Sequence, residues 1–311
     1  MGMISRPLST EMTGYLHPGY AASLKEFGAP RELPQSGGWL LERSTPHPLY
    51  RDVMGCYPLF CCRNWPALAS DIEKLDRGLV SVALVPDPFG DYTEQDLKHC
   101  FDRVVPFKEH YVVDLEMCGE AFGGRHHRYY AKRAFDRMEV RVAKQPAEHL
   151  NDWIRLYGCL IQRHGLKGVK AFSHEAFREQ LTLPGTVLFH ALQNDATIGA
   201  HIWFVQGNVA YSHLMAADAM GYELGAAYAL YATAIKHFLG KVKWLNLGAG
   251  AGAATGNRDG LTKFKAGWAN GTRPGYFCGR ILDRQGYAAL VQQTHTEDAS
   301  YFPAYRSGEL S

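Results

Sequence analysis

Three strand-like runs follow one another in the second half of the chain and restrict its fold more than any other feature. They cover residues 186–192, 197–205 and 209–215 and are rich in branched and aromatic side chains. The two connections, Gln193-Asn194-Asp195 and Gln206-Gly207-Asn208, are tight-turn sequences. Because strands joined by such short turns pair with their neighbours in sequence, these runs predict an antiparallel meander.

Helix and strand patterns continue on both sides of this meander. Before it, the spacing of apolar residues and a capping serine predict a strand at 138–142, a helix at about 146–164 and a helix from Ser173 to about 183. After it, we expect a helix opening at 221–227 and running to about 239, a strand at 244–248, a short helical stretch, a strand at 275–282 and a helix from Asp283.

The first half of the chain also alternates strands with helices. Its pattern predicts strands at 39–43, 57–61, 79–85 and 111–115, and helices at 64–75 and 93–101. No glycine-rich turn of the dinucleotide or P-loop kind occurs in it, which favours a scaffold or an acceptor-binding surface. Because residues 116–124 are small and rich in glycine, we expect two domains, at 1–122 and 123–311.

Charge and cysteine content exclude several classes of protein. The 33 basic and 31 acidic residues give a formal charge of +2, which disfavours a dedicated binder of duplex DNA. No stretch of about 18 apolar residues predicts a membrane span, and the N-terminus lacks the apolar core of a secretory signal. The 7 cysteines contain no C-x-x-C pair. We therefore expect a cytoplasmic protein with reduced thiols and no metal.

The small residues that open the helix after the meander point to a phosphate. Gly225, Ala226 and Ala227 would let backbone N–H groups at a helix N-terminus approach a ligand closely. With the order of elements around it, this turn resembles the GNAT acyltransferase fold, in which the same turn faces the pyrophosphate of acyl-CoA. The resemblance implies a cofactor-binding role for these three residues and for Tyr222, which stands where the family signature has Gln or Arg.

A second resemblance is narrower and covers roughly residues 120–295. The segment Trp244-Leu245-Asn246-Leu247-Gly248 runs into a glycine-rich loop and is followed by Gly260-Leu261-Thr262-Lys263-Phe264-Lys265-Ala266-Gly267-Trp268. These motifs, with the basic run Arg128–Ala134, resemble the FemAB/BioF-like branch of the GNAT superfamily. The first half of the chain is similar to that family's degenerate first GNAT-like domain in its element order. The implied architecture is α/β (α+β), with two GNAT-like domains whose mixed, mainly antiparallel sheets are flanked by helices.

The resemblance implies an N-acyltransferase that forms an amide on a small-molecule or peptide amine. Its donor would be acyl-CoA, with no metal; the alternative is an aminoacyl-tRNA, used by a FemAB-type transferase that adds an amino acid to a peptide or amino sugar. The basic run with Tyr129 and Tyr130 inside it is the sequence feature that suits a tRNA. A second alternative is an inactive GNAT-fold binding module, to which the departure at Tyr222 would point.

Amide formation needs a positive group beside the carbonyl oxygen and a base for the acceptor ammonium. We assign the first role to Lys265 and the second to His213, and a catalytic role in positioning the acceptor to Asp259. Since Tyr211 and His213 alternate along one predicted strand, both point to one face. Substrate-binding roles are expected for Tyr211, Asn246 and two arginines: Arg258 near the glycine loop, and Arg128, which shares a helix face with Arg125 and Lys132.

Overall fold

Strands from both halves of the chain join in one mixed sheet. The structure is a computed structural model that describes residues 12–75, 78–119, 122–250 and 260–309. The strands are β1 (Ala29–Leu33), β2 (Gly38–Ser44), β3 (Arg51–Gly55), β4 (Leu79–Leu84), β5 (Arg103–Asp114), β6 (Glu139–Val142), β7 (Thr186–Gln193), β8 (Ala196–Gln206), β9 (Val209–Ala217), β10 (Trp244–Gly248) and β11 (Gly271–Ile281).

Helices cover both faces of this sheet. They are α1 (Pro18–Ser23), α2 (Leu68–Glu73), α3 (Glu94–Cys100), α4 (Arg125–Phe135), α5 (Leu150–His164), α6 (His174–Gln180), α7 (Ala219–Leu224), α8 (Ala226–Phe238), α9 (Gly260–Trp268) and α10 (Arg284–Thr294). Short 3₁₀ turns precede α2 and α5 and complete the helical segments expected there.

The strand order is β1-β2-β3-β4-β11-β5-β10-β9-β8-β7-β6, and the two halves of the sheet share a similar pattern of strand pairing. In each half an antiparallel meander of three strands ends in a parallel pair, β3 with β4 and β9 with β10. All the other neighbouring strands are antiparallel. The predicted fold class, mixed and mainly antiparallel, is therefore confirmed.

The two central strands exchange places between the halves. Strand β5 follows β4 in sequence but pairs with β10, whereas β11 follows β10 and pairs with β4. The exchanged strands also pair with each other along most of their length. The sheet thus continues from one half into the other, and the division of the chain near residue 122 stays a prediction.

Local sequence signals place most of these helices correctly. Thr93 and Asp96 form a complete capping box at the start of α3. Ser173 accepts a hydrogen bond from the Ala176 N–H, and Asp283 caps α10 in the same manner. These contacts lie within four residues of each other, which is why the sequence alone predicts them.

Two predicted elements need correction. Residues 57–61 form no strand: Phe60 makes an isolated bridge to Pro86, and the strand of this region is β3, which precedes them. The helix expected from 221 to 239 is interrupted at Gly225, whose φ of +76° is left-handed and separates α7 from α8. That φ disfavours any residue with a Cβ, so a glycine is required at the break.

In the second half of the sheet, each face packs against its own apolar core. One face packs the N-terminal segment and α5 against the meander, with Tyr15, Trp153 and Phe204 at its centre. The other packs α4, α8 and α9, with Trp203, Tyr231 and Trp268. Side chains that alternate along β9 therefore enter different cores.

The end of the chain is tied to the first half. The buried carboxylate of Asp52 on β3 forms ion pairs with Arg43 on β2 and with Arg306, at 3.1 and 2.5 Å. The hydroxyl of Tyr305 also donates to it. Paired and hydrogen-bonded in this way, Asp52 holds the segment after α10 against the first meander.

Candidate functional site

The parallel pair β9–β10 opens into a cleft. Three residue pairs join the strands, the last between Tyr211 and Asn246. Beyond this pair β9 continues to Ala217 while paired with β8 alone, and β10 ends at Gly248. The edge of β9 after Tyr211 therefore diverges from β10, and this wedge is here called the cleft.

The corresponding position in the first half is closed. There, Phe60 bridges Pro86 beyond the last β3–β4 pair, donating its N–H to Val85 O and accepting from Asp87 N–H. Among the described residues, no such bridge follows the last pair between β9 and β10. Of the two parallel pairs, the one in the second half is the better candidate site.

The N-terminus of α8 lies at the open end of the cleft. Its N-cap, Gly225, has no side chain, and no side-chain hydrogen bond caps the helix. Ala226 packs against Gly199, which pairs with Ala217 at the end of β9. The half-buried Ala227 follows in the first turn. The helix thus presents uncapped N–H groups and the positive end of its dipole where the two strands separate.

Lys265 extends from α9 to the end of β10. Its Nζ donates to Ala249 O at 2.7 Å, and the side chain is 9% exposed. An added Cβ at Gly248 would lie 3.0 Å from this Nζ, so the glycine leaves space for the ammonium. A buried positive charge therefore sits at the edge of the cleft formed by β10.

Asn246 forms a polar cluster with Gly248 and His110 near the end of β10 that Lys265 reaches. Its Oδ1 accepts from the Gly248 N–H at 2.9 Å and lies 3.1 Å from Nδ1 of His110 on β5. Burial lowers the pKa of His110 to about 4, the Asn246 hydrogen bond opposes that shift, and the charges of Lys265 and Lys108 reinforce it. His110 is therefore neutral at pH 7.

Tyr211 and His213 share the opposite face of β9, as the strand alternation predicts. The Tyr211 hydroxyl donates to the buried Asp87 carboxylate at 2.6 Å. The ring nitrogens of His213 lie 3.0 Å from the Tyr15 hydroxyl and 3.2 Å from Gln180 Oε1. Burial lowers the pKa of His213 to about 3. Its assignment as the general base stays a prediction. The position does not favour that role, because the ring is buried and both of its nitrogens already have hydrogen-bond partners.

The other predicted site residues are spread around the cleft. Tyr222 on α7 is 43% exposed, with the Arg163 guanidinium 3.4 Å from its ring centroid. Arg128 on α4 donates to Gly123 O. Arg258 and Asp259 lie outside the described residues, so nothing is stated of their positions.

A chain of polar side chains on the cleft side of β9 is not predicted by the sequence patterns. Ser212 is the first β9 residue beyond the last pair with β10, and its Oγ lies 2.8 Å from His201 Nε2 and 3.2 Å from the Tyr231 hydroxyl. Strand alternation alone places Ser212 on the face opposite to Tyr211 and His213. The contact with Tyr231 depends on how α8 packs, which no local pattern reports.

Helix α4 carries an exposed basic and aromatic surface beside α8. This α4 surface consists of Arg125, His126, Tyr129, Tyr130, Lys132 and Arg133. Tyr130 stacks on Tyr228 in the first turn of α8, with ring centroids 5.2 Å apart, and His126 packs on Tyr130 at 4.5 Å. The α4 surface therefore adjoins the uncapped N-terminus of α8.

The described residues contain neither a metal-binding cluster nor a membrane-spanning helix. No group of three or more His, Cys, Asp or Glu side chains among them is arranged to hold a metal ion. None of the helices in the same part of the chain has the length and apolar character needed to cross a bilayer.

Comparison with known proteins supports the predicted relationship. Residues 124–255 match the sequence family described as the acetyltransferase (GNAT) domain, so the predicted relation to the GNAT superfamily is confirmed. This match contains β6 to β10 and α4 to α8 and therefore both sides of the cleft. A search of curated proteins gave no match.

Solved structures share the fold over nearly the whole chain. FemX has a TM-score of 0.65 at 13% identity, covering 92% of this chain and 95% of FemX. The C-terminal domain of a protein described as a lysylphosphatidylglycerol synthetase, from Agrobacterium fabrum, has a TM-score of 0.62 at 17% identity, covering 91% and 93%. L-PGS from Bacillus licheniformis has a TM-score of 0.59 at 14% identity, covering 91% and 98%. The fold is that of GNAT-type transferases.

Proposed function

We propose that this chain, with its GNAT-type domain at residues 124–255, is an N-acyltransferase that moves an acyl group from acyl-CoA to an amine. The observation that carries the proposal is the open cleft between β9 and β10, with an uncapped helix N-terminus at one end and a buried lysine at its edge. A diphosphate would lie at α8, and the acyl carbonyl would lie beside Lys265.

Each end of the cleft suits one part of such a donor. The positive end of α8 favours phosphate groups, and the small residues of its first turn allow close backbone approach. Negative charge develops on the carbonyl oxygen as the amine attacks, and a fixed cation in a buried site stabilises it most. Lys265 is such a cation, because it is buried and a hydrogen bond to Ala249 O holds its Nζ at this edge of the cleft.

The first test is donor binding measured by calorimetry. We expect CoA and acetyl-CoA to bind to the wild type, and Ala227→Glu to weaken that binding at least tenfold because its carboxylate would repel the phosphates. Ala219→Glu, in the first turn of neighbouring α7, is the matched control and should bind as the wild type does. An absence of binding by the wild type at millimolar CoA would contradict the acyl-CoA proposal.

The α4 surface favours a second candidate, an aminoacyl-tRNA-dependent transferase of the FemAB type. Three of its side chains are cations without an acidic neighbour on the helix, and its rings are exposed, with Tyr129 at 57%. Stacked rings between cations are typical of surfaces that bind single-stranded nucleic acid. The donor would then lie with its terminal phosphates near α8.

A tRNA-binding experiment separates the two donors. If a tRNA is the donor, Arg125→Glu combined with Lys132→Glu should weaken binding of deacylated tRNA about tenfold or more and reduce its dependence on salt. Lys74→Glu, an exposed change on the other half of the chain, is the control. If the double variant binds tRNA as tightly as the Lys74→Glu control does, the α4 surface is excluded as the tRNA site.

The acceptor is addressed by product analysis. We expect a small-molecule or peptide amine; the name of the Agrobacterium protein adds phosphatidylglycerol, a hydroxyl acceptor whose product would be an ester rather than an amide. Mass spectrometry of reactions with peptides, amino sugars and phosphatidylglycerol vesicles would identify the product. If neither donor type gives a product with any of them, the inactive binding module becomes the better proposal.

A further inference from the structure

The hydroxyl of Ser212 stands where the two strands of the cleft separate. It follows the last β9–β10 pair directly, and Ser212 is partly exposed although the residues on either side of it are buried. Its side chain lies on the face that carries α8 and α9, which is also the face from which Lys265 reaches the end of β10.

Two buried partners hold this hydroxyl from the protein side. Nε2 of His201 is 2.8 Å from Ser212 Oγ and the Tyr231 hydroxyl is 3.2 Å away. The His201 ring is fully buried and packs on Tyr231 with centroids 4.6 Å apart, so neither partner turns easily. Among the described residues, Nδ1 of His201 has no hydrogen-bond partner.

The charge states of the partners define what they can do. Burial lowers the pKa of His201 well below its usual value, and the nearby charge of Lys265 reinforces that shift. Burial likewise raises the pKa of Tyr231 to about 12. Both groups are therefore neutral at pH 7, so the phenol keeps its proton and the imidazole carries one N–H and one acceptor nitrogen.

We propose that Ser212 is the proton shuttle of the transfer reaction and that His201 and Tyr231 are its positioning residues. This inference rests on the proposed function and applies to either donor. The hydroxyl can receive one proton while giving up another, so it needs no shifted pKa of its own. The Ser212 hydroxyl would thus connect the attacking amine to the leaving group at the point where β9 and β10 separate.

The step balances without any further reactant. The neutral amine forms the C–N bond, and the bond from the carbonyl carbon to the sulfur or oxygen of the donor breaks with its electron pair on that atom. One N–H proton passes to Ser212 Oγ as the Ser212 proton passes to the leaving sulfur or oxygen. The products are an amide and a free thiol or hydroxyl, and Ser212 is restored.

The test compares Ser212→Ala with the wild type in steady-state transfer. We expect kcat to fall about 100-fold with KM for the donor unchanged, because general acid–base catalysis is worth at least that much and the hydroxyl binds no phosphate. Tyr231→Phe should lower kcat less, since it only loosens the Ser212 hydroxyl. Tyr157→Phe, which removes a buried tyrosine hydroxyl that donates to Lys170 O on the other face, is the matched control.

Leaving-group dependence separates proton transfer from a structural role. A thiolate departs without a proton more readily than an alkoxide does, so the loss in Ser212→Ala should be larger with the oxygen-ester analogue of acetyl-CoA than with acetyl-CoA. Ser212→Thr should restore part of kcat. An unchanged kcat in Ser212→Ala, or an equal loss of kcat with acetyl-CoA and with its oxygen-ester analogue, would overturn the shuttle.

The wild type distinguishes this failure from that of the proposed function. A wild type that transfers from acetyl-CoA or aminoacyl-tRNA, together with an equally active Ser212→Ala, contradicts the shuttle alone. A wild type that binds neither donor and forms no amide contradicts the proposed function and, with it, the shuttle.

Discussion

Single buried histidines give this chain a marked dependence of stability on pH. Burial lowers the pKa of His110 to about 4 and that of His213 to about 3, and it lowers the pKa of His201 well below its ordinary value. In the unfolded chain these groups titrate near pH 6.5. Below that pH the unfolded state binds more protons than the folded state, so stability is lost as the pH falls.

We expect the free energy of unfolding to drop by about 2 kcal/mol for each of His110 and His213 between pH 7 and pH 5, and to drop further because of His201. Urea unfolding at the two pH values measures it. The neutral variant His213→Gln, whose amide can still bond to Tyr15 and Gln180, should show a smaller drop. The carboxylates with lowered pKa values, such as Glu42, contribute only at lower pH. Equal stability at pH 7 and pH 5 would contradict the burial of these rings.

Lys265 makes the sharpest residue-level prediction for catalysis. In Lys265→Met we expect kcat to fall by about 100-fold or more, because a preorganised charge beside the developing oxyanion is lost. Lys263→Met, two residues earlier on the same helix, is the control and should keep its activity. Circular dichroism must show both variants folded, since Lys265 also holds Ala249 O. A fully active Lys265→Met would refute its assignment.

The site could be predicted from the sequence only in part. Motifs led to Lys265 and Gly225, and strand alternation placed Tyr211 and His213 on one face. The alternation could not say which face borders the cleft, because that depends on where α8 and the N-terminal segment pack. For the same reason Ser212 and Tyr231, 19 positions apart, went unnoticed until the structure brought their hydroxyls together.

At the scale of elements, α4 docks on α9 mainly through the ring of His127. The ring of His127 lies directly against Gly267, and its Nε2 is 2.9 Å from Phe264 O. A Cβ at position 267 would overlap this ring. The glycine is therefore required by the packing of two helices, whereas its own helix would be more stable with alanine.

We expect Gly267→Ala to destabilise the fold by about 1–3 kcal/mol, the usual cost of overpacking. Gly158→Ala in α5 is the matched control, because a Cβ there meets no atom within 4 Å and should stabilise by up to about 1 kcal/mol. Thermal unfolding followed by circular dichroism measures both. A Gly267→Ala variant as stable as the wild type would show that α4 can move away from α9.

The elements themselves were largely predictable because their signals are local. The Thr93 capping box and the Ser173 cap each act within one helical turn. The strand predicted at 57–61 is wrong because a short buried apolar segment has the same sequence pattern whether or not it pairs in a sheet. Only Phe60 in this run pairs as a strand residue would, donating its N–H to Val85 O and accepting from the Asp87 N–H.

At the scale of the whole molecule, the exchange of β5 and β11 joins the two halves. Strand β11 comes from the second half of the sequence but pairs with β4 and β5. A chain consisting of residues 123–311 would leave both edges of β11 exposed. Neither propensity nor motif spacing carries this information, because the pairing connects residues more than 150 positions apart.

We therefore expect the full chain to unfold in one cooperative transition, with tryptophan fluorescence and circular dichroism coinciding. Residues 123–311 expressed alone should be less stable and prone to aggregate through the unpaired strand. Co-expression of residues 1–122 should restore solubility by supplying β4 and β5. A soluble, cooperatively folding 123–311 would support independent domains divided at residue 122.

The position of β11 also sets the order in which the molecule can be made. A ribosome delivers β4 and β5 long before β11, which the finished sheet holds between them. Until then those two strands cannot be neighbours, and each has an open edge for other nascent chains to join. The first half stays incomplete while about half of the chain, from Asp114 to Ile281, is synthesised. Synonymous changes that slow translation between β5 and β11 would prolong this exposed interval and lower the yield of folded protein.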